Sequence, residues 1–234
     1  MISPPVAHTL IYRTNADHVA LAMDRAVYVP VPGAGESVIG KVLARRIGLP
    51  VGSTLDFAEV RFPQFADKIP GDFFAFTFVR NPCDRVAEFY RKHIHGEKLP
   101  PQLAGERAFR VKMPFVEFVS AIADDGLRER YPELREQVCF LQGPPLRFVG
   151  RCDDLDADLR RLAEMLGWPR NILPKPRDPG NSGLDPAPDG TAGEGELFDA
   201  GTLKLVQEIY AEDFAQLEFS AGANGLRGSA NEGP

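Results

Sequence analysis

The sequence predicts a three-layer α/β domain with a central parallel sheet flanked by helices. Three observations predict it. Two apolar runs, Ala26–Pro32 (AVYVPVP) and Phe73–Val79 (FFAFTFV), carry the β-branched and aromatic residues of strands covered on both faces. Each run ends in a sharp turn, Gly33–Ser37 after the first and Arg80–Arg85 after the second, and each turn opens into helix-periodic sequence. The 234 residues, 44% hydrophobic and 26% charged, have a globular balance and are enough to bury a core without staples.

The elements follow in order. After Gly33–Ser37, Val38, Ile39, Val42, Leu43 and Ile47 recur at helical spacing, with Gly48 as a stop. The run Phe73–Val79 is the strongest strand signal, and Asp84–Arg91 begins a helix whose Val86, Phe89 and Tyr90 share one face. Phe115–Ile122 and Leu127–Leu141 read as helices, the second starting near Pro132. Leu146–Val149 reads as a short strand. Asp153–Leu166 reads as a helix with acids in its first turn and Gly167 closing it. Pro174–Glu196 is rich in Pro and Gly and reads as a loop, and Thr202–Phe219 as a last amphipathic helix. A single domain is expected over residues 1–219, with a disordered polar tail at 220–234.

Composition narrows the function. A net charge of −6 argues against nonspecific nucleic-acid binding, which needs a basic face, but leaves room for a local anion site. Cys83, Cys139 and Cys152 are too few and too scattered for a disulfide framework, and they lack metal-ligand spacing. They read as reduced thiols. The N-terminal MISPPVAHTL lacks the pattern of a signal peptide, and no apolar run is long enough to span a bilayer. The expectation is a soluble cytoplasmic protein with no metal and no membrane partner.

The two turns carry the chemistry. In open parallel sheets ligands bind beyond the carboxyl ends of the strands, so both turns are expected to face one crevice. Gly33 and Gly35 would let backbone approach an anion closely. Ser37 would add a hydroxyl at the helix start, or act simply as its N-cap. The segment Gly35–Lys41 also fits GxxxxGK, but Val42 stands where a magnesium-binding hydroxyl is required, which counts against a kinase-type loop. Arg80 emerges at the end of the second strand and suits bidentate phosphate binding; the alternative is a structural ion pair with Asp84 or Glu88.

At these residues the chain resembles the sulfotransferases. FTFVRNPCDRVAEFYRKHI is similar to their 3′-phosphate motif, a strand followed by R-[DN]-P-x-x-R-x-x-S-x-Y. VYVPVPGAGESVIGKVL is similar to their 5′-phosphosulfate loop, a strand followed by P-K-x-G-x-[TS] and a helix. Gln137 in EQVCFL, RFVGRCDDLDADLRRLAEMLG, Asn181-Ser182 and IYAEDFAQLEF resemble later family segments, so the likeness runs from Val27 to Phe219. Order and separation are closest to the carbohydrate-modifying branch and its bacterial relatives. The resemblance implies a P-loop-like fold and 3′-phosphoadenosine 5′-phosphosulfate as sulfonate donor. It also implies a hydroxyl acceptor, either a small molecule or a carbohydrate. Gly33, Ala34, Gly35, Glu36, Ser37, Arg80 and Glu88 would hold the nucleotide.

The departures matter as much. The family's 5′-loop Lys falls on Gly33, its 3′-phosphate Ser on Glu88, and a His four residues before the Gln on Glu133. Sulfonate transfer, like phosphoryl transfer, is an in-line displacement in which protein groups position reactants and neutralise charge. Losing one charged donor from such a site costs about 10²–10³ in rate. Compensating groups to be weighed are His93 or His95 as a general base, Asp56 and Glu59 beside an acceptor, and Arg177 as a clamp. Lys41, about 12 Å along a helix from the loop, is too far. Two readings follow: a sulfotransferase, or a catalytically degenerate nucleotide-binding or interaction module on the same fold.

Overall fold

The two apolar runs become β3 (Ala26–Val29) and β4 (Phe74–Val79), neighbouring parallel strands with Val27 opposite Ala75 and Val29 opposite Thr77. Their side chains alternate between two cores, as the pleat requires. Tyr28, Phe76 and Phe78 enter one, and Val27, Val29 and Ala75 enter the other. This is why both strands read as continuous apolar runs rather than as alternating ones. Thr77, fully buried, spends its hydroxyl on the Val29 carbonyl at 2.7 Å.

The computed structural model describes residues 11–13, 18–49, 71–175 and 197–220. The chain divides into two compact units, Met1–Val79 with Phe140–Gly183, and Arg80–Cys139 with Leu184–Pro234.

The first unit is mixed α/β. Among the described residues its sheet has five strands in the order β1-β2-β3-β4-β5, with β1 (Ile11–Arg13), β2 (Val19–Leu21) and β5 (Leu146–Arg151) completing it. The expected parallel sheet is its central part, extended by antiparallel strands that were not expected. β3, β4 and β5 are parallel, whereas β1–β2 and β2–β3 are antiparallel. The reason is connection length: Ala22–Arg25 alone joins β2 to β3, and so short a link permits only a hairpin. Helices α1 (Glu36–Arg46) and α5 (Leu155–Leu166) pack Ile39, Leu43, Leu159 and Leu162 against Tyr28, Phe76 and Phe148. The short turn Cys152–Asp154 precedes α5, which therefore begins two residues later than the sequence suggests.

The second unit is helical among its described residues. It contains α2 (Pro82–Phe89), a π-helical turn (Tyr90–Ile94), α3 (Phe115–Ala121), α4 (Asp125–Arg130), α6 (Ala200–Ile209) and α7 (Ala211–Gln216). Its core is aromatic: Phe89 stacks on Phe118 at 5.8 Å, and Phe115 meets Phe198 edge-on at 4.9 Å. The face expected of Val86, Phe89 and Tyr90 is buried there.

Two expected helices are broken. In place of Leu127–Leu141, α4 ends at Arg130 and two short turns follow, Pro132–Leu134 and Gln137–Phe140. Side chains have taken the backbone groups a helix would need. The Arg85 guanidinium donates to the carbonyls of Arg135 (2.6 Å) and Pro132 (3.0 Å). The Asp213 carboxylate accepts from the N–H groups of Gln137 (2.9 Å) and Val138 (3.0 Å). In place of Thr202–Phe219, α6 starts at Ala200 behind an Asp199–Thr202 capping box, and the chain bends at Tyr210 before α7. Tyr210 is fully buried and its hydroxyl donates to the Leu134 carbonyl at 2.7 Å.

Candidate functional site

Gly33, Ala34, Gly35, Glu36 and Ser37 lie together in the first unit, after β3 and at the start of α1. Gly33 and Gly35 both adopt left-handed backbone, with φ of 79° and 77°, a conformation costing L-residues about 1–2 kcal/mol. Gly35 is the N-cap of α1, its carbonyl accepting from the N–H groups of Val38 and Ile39 at 3.0 Å. A Cβ on Gly35 would stand 3.3 Å from Cys152 Sγ, so close packing as well as φ requires glycine there. Ser37 is therefore not the cap. It is the second helical residue, exposed, with its hydroxyl at the open start of α1.

The loop holds a carboxylate of its own. Gly33 N–H donates to Glu36 Oε2 at 3.3 Å, and Glu36 lies in the first turn of α1, where negative charge is stabilised. Beneath it, burial pushes the Tyr28 phenol well above its ordinary pKa, and the charges of Glu36 and Cys152 push it further. The positive φ at Gly33 also explains why this position suits glycine better than the lysine of the resembled loop. Gly40 and Lys41 lie inside α1 with Lys41 exposed and Val42 buried. The GxxxxGK segment thus places its glycine and lysine within the helix rather than in an anion-wrapping loop.

Arg80 and Glu88 lie together in the second unit. They form an ion pair in which the Arg80 side chain is only 11% exposed. The ion pair with Glu88 considered from sequence is thus formed. The Arg80 backbone is held on both sides by Gln137: its N–H donates to Gln137 Oε1 (2.9 Å), and its carbonyl accepts from Gln137 Nε2 (2.8 Å). Gln137 is fully buried and in turn donates to Asp213, which is fully buried too. Burial raises the Asp213 carboxyl pKa, while the Gln137 and Val138 amides and Arg85 pull it back down. At the same turn Asn81 caps α2, its Oδ1 accepting from Cys83 N–H at 2.9 Å, with Pro82 in the first helical position. Arg85, buried at 3% exposure, is spent on carbonyls and is structural.

Of the compensating candidates, His95 is exposed. His93 is buried in the π-helical turn, its Nε2 3.2 Å from Glu133 Oε2, and Lys92 Nζ lies 3.5 Å from Glu133 Oε1. This pairing, the His93 hydrogen bond foremost, lowers the Glu133 pKa against the opposing effect of burial. Phe89, Leu103, Tyr131 and Pro132 join His93 and Glu133 around a small cleft. Asp56, Glu59, Arg177, Asn181, Ser182 and nearly all of the 220–234 tail lie outside the described residues.

Sequence reasoning named Arg80, Glu88 and Gln137 but missed the parts played by Glu36 and Asp213. Glu36 was legible, since an acid in the first turn of a helix behind a Gly-rich loop is within reach of that loop. The Asp213 contact was not, because 76 residues separate it from Gln137. Comparison of the chain with protein-family models, with curated proteins and with solved structures gives no match. Among the described residues no helix is long and apolar enough to cross a membrane.

Proposed function

We propose that the chain is a sulfotransferase-like protein that binds a nucleoside phosphosulfate and transfers its sulfonate to a hydroxyl. By the resemblance the donor is 3′-phosphoadenosine 5′-phosphosulfate, the acceptor a small molecule or carbohydrate, and the fold P-loop-like in three layers; the cysteine pattern and the N-terminal sequence add a cytoplasmic setting to the proposal. One observation carries the reading. Three of the segments that bear the resemblance, the Arg80 turn, Gln137 and the Tyr210–Asp213 stretch, are joined in a single buried hydrogen-bond network. Segments so far apart in sequence have no local reason to meet. Parallel neighbours β3 and β4, each running into a turn and a helix, add to it.

The resemblance assigns the phosphosulfate to the loop N–H groups and the start of α1, and a 3′-phosphate to Arg80. Positioning and charge neutralisation are the protein's contribution to an in-line displacement. The decisive experiment is calorimetric titration of the full chain with 3′-phosphoadenosine 5′-phosphate, paired with release of that product from the donor. Binding with turnover is the expected result.

A second reading, a degenerate nucleotide-binding or interaction module, has specific observations in its favour. Gly33 holds a backbone conformation that disfavours lysine, and internal carboxylates, Glu36 and Glu88, engage Gly33 N–H and Arg80. Binding without turnover selects the nucleotide module. No binding, with the fold intact, selects the interaction module.

A further inference from the structure

We propose that the cleft of the helical unit, walled by Phe89, Leu103, Tyr131 and Pro132 and bearing the His93–Glu133 pair, binds a small neutral single-ring molecule with an O–H or N–H donor. None of these residues is assigned to the nucleotide, and the ligand is bound without being transformed. The walls are held from behind. Phe89 stacks on Phe118 at 5.8 Å and lies 4.7 Å from the His93 ring, while Tyr131 packs on Phe109 at 5.7 Å. Leu103 is buried. The aromatic core thus fixes the cleft before any ligand arrives, as is usual for small-molecule sites. His93 stands in the π-helical turn that follows α2, a local irregularity frequent at functional sites.

Size, polarity and charge narrow the ligand. The cleft holds about 130 Å³, close to the roughly 150 Å³ of an apolar cavity that takes up benzene. One six-membered ring fits it and a nucleotide does not. The Glu133 carboxylate is 3.2 Å from His93 Nε2 and 3.5 Å from Lys92 Nζ, and the His93 hydrogen bond foremost keeps it ionised. An ionised carboxylate only accepts, so His93 Nε2 carries the hydrogen between them. Its two oxygens offer about four acceptor positions, which leaves capacity for a donor on the ligand. Lys92 and Glu133 cancel in charge. An anion in the cleft would stand beside Glu133, and an ammonium would compete with Lys92 for the same carboxylate. A neutral donor meets neither conflict, and a site with a charged acceptor penalises the analogue that cannot donate.

The test titrates the full chain with phenol and with its methyl ether, anisole, which keeps the ring and lacks the donor. The wild type should bind phenol about tenfold or more tightly, the weight of one hydrogen bond to a charged group. Benzoate and benzylamine should both bind more weakly than phenol. Glu133→Leu, which removes the acceptor at similar volume, should bring the phenol-to-anisole ratio to about one, with circular dichroism checking the fold. In the wild type phenol should also shift the imidazole NMR signals of His93 and leave those of the exposed His95 in place, a readout that needs no variant. Equal or tighter binding of anisole overturns the inference, as does tighter binding of either charged analogue. So does an unchanged ratio in folded Glu133→Leu, or a phenol titration that leaves the His93 signals unmoved. Absence of phenol binding overturns it outright and leaves the nucleotide reading untouched.

Discussion

The two strand-to-helix turns of this protein perform one task by opposite means. At Gly33–Ser37 the backbone does the work: two left-handed glycines set the path and the helix has no side-chain cap. At Arg80–Arg85 the side chains do it. Asn81 caps, Pro82 starts the helix, and Gln137, itself held by Asp213, reaches in from distant sequence to bind both the N–H and the carbonyl of Arg80. The first turn is determined locally and tolerates little change of residue type. The second depends on partners that must arrive during folding. Each then carries a carboxylate, Glu36 at the first and Glu88 at the second, against the groups expected to meet an anion.

The largest effect should come from the side-chain turn. Asp213→Ala strands the N–H groups of Gln137 and Val138 and removes one of the two bonds of the Gln137 side-chain amide, and each buried orphan costs about 1–3 kcal/mol. A loss of about 3 kcal/mol or more is expected in urea denaturation. A loss below about 1 kcal/mol would mean that the network does not hold the turn.

The glycine turn should come next. Gly35→Ala meets both a left-handed φ and the Cys152 sulfur, and should cost about 2 kcal/mol. Gly33→Lys, which restores the lysine of the resembled loop, should cost about 1–2 kcal/mol from backbone strain alone. It should yield no gain in release of 3′-phosphoadenosine 5′-phosphate. A faster variant would show that missing charge, rather than loop conformation, limits the wild type.

Asn81→Ala should be milder, about 1 kcal/mol, the usual cost of losing one N-cap acceptor. If it costs more than Gly35→Ala, the contrast between the turns is reversed. The smallest effect lies away from both turns, at Glu133. Its pKa is lowered in the folded protein, so folding favours the ionised form. The stability it contributes is present above its ordinary value of 4.5 and is lost as pH falls through the lowered one. The difference in urea midpoint between wild type and Glu133→Gln should therefore shrink on acidification below that value. A difference that stays constant down to acid pH would show that the His93–Glu133 pair contributes no charge-dependent stability.

What the sequence by itself determined is what local pattern encodes. The apolar runs of β3 and β4, their parallel course, the helix starts behind each turn and the aromatic face of α2 all follow from spacing over a few residues. The tertiary structure alone decided the rest. The β1 and β2 strands are three residues each, too short for a periodic signal, and they turned the expected parallel sheet into a mixed one. The helix expected over Leu127–Leu141 gave way because Arg85 and Asp213, remote in sequence, took its carbonyl and amide groups. The positive φ at Gly33 and the pairing of Arg80 with Glu88 were likewise decided in three dimensions. A buried polar group binds whichever partner the fold brings within about 3 Å, and sequence separation places no limit on that partner.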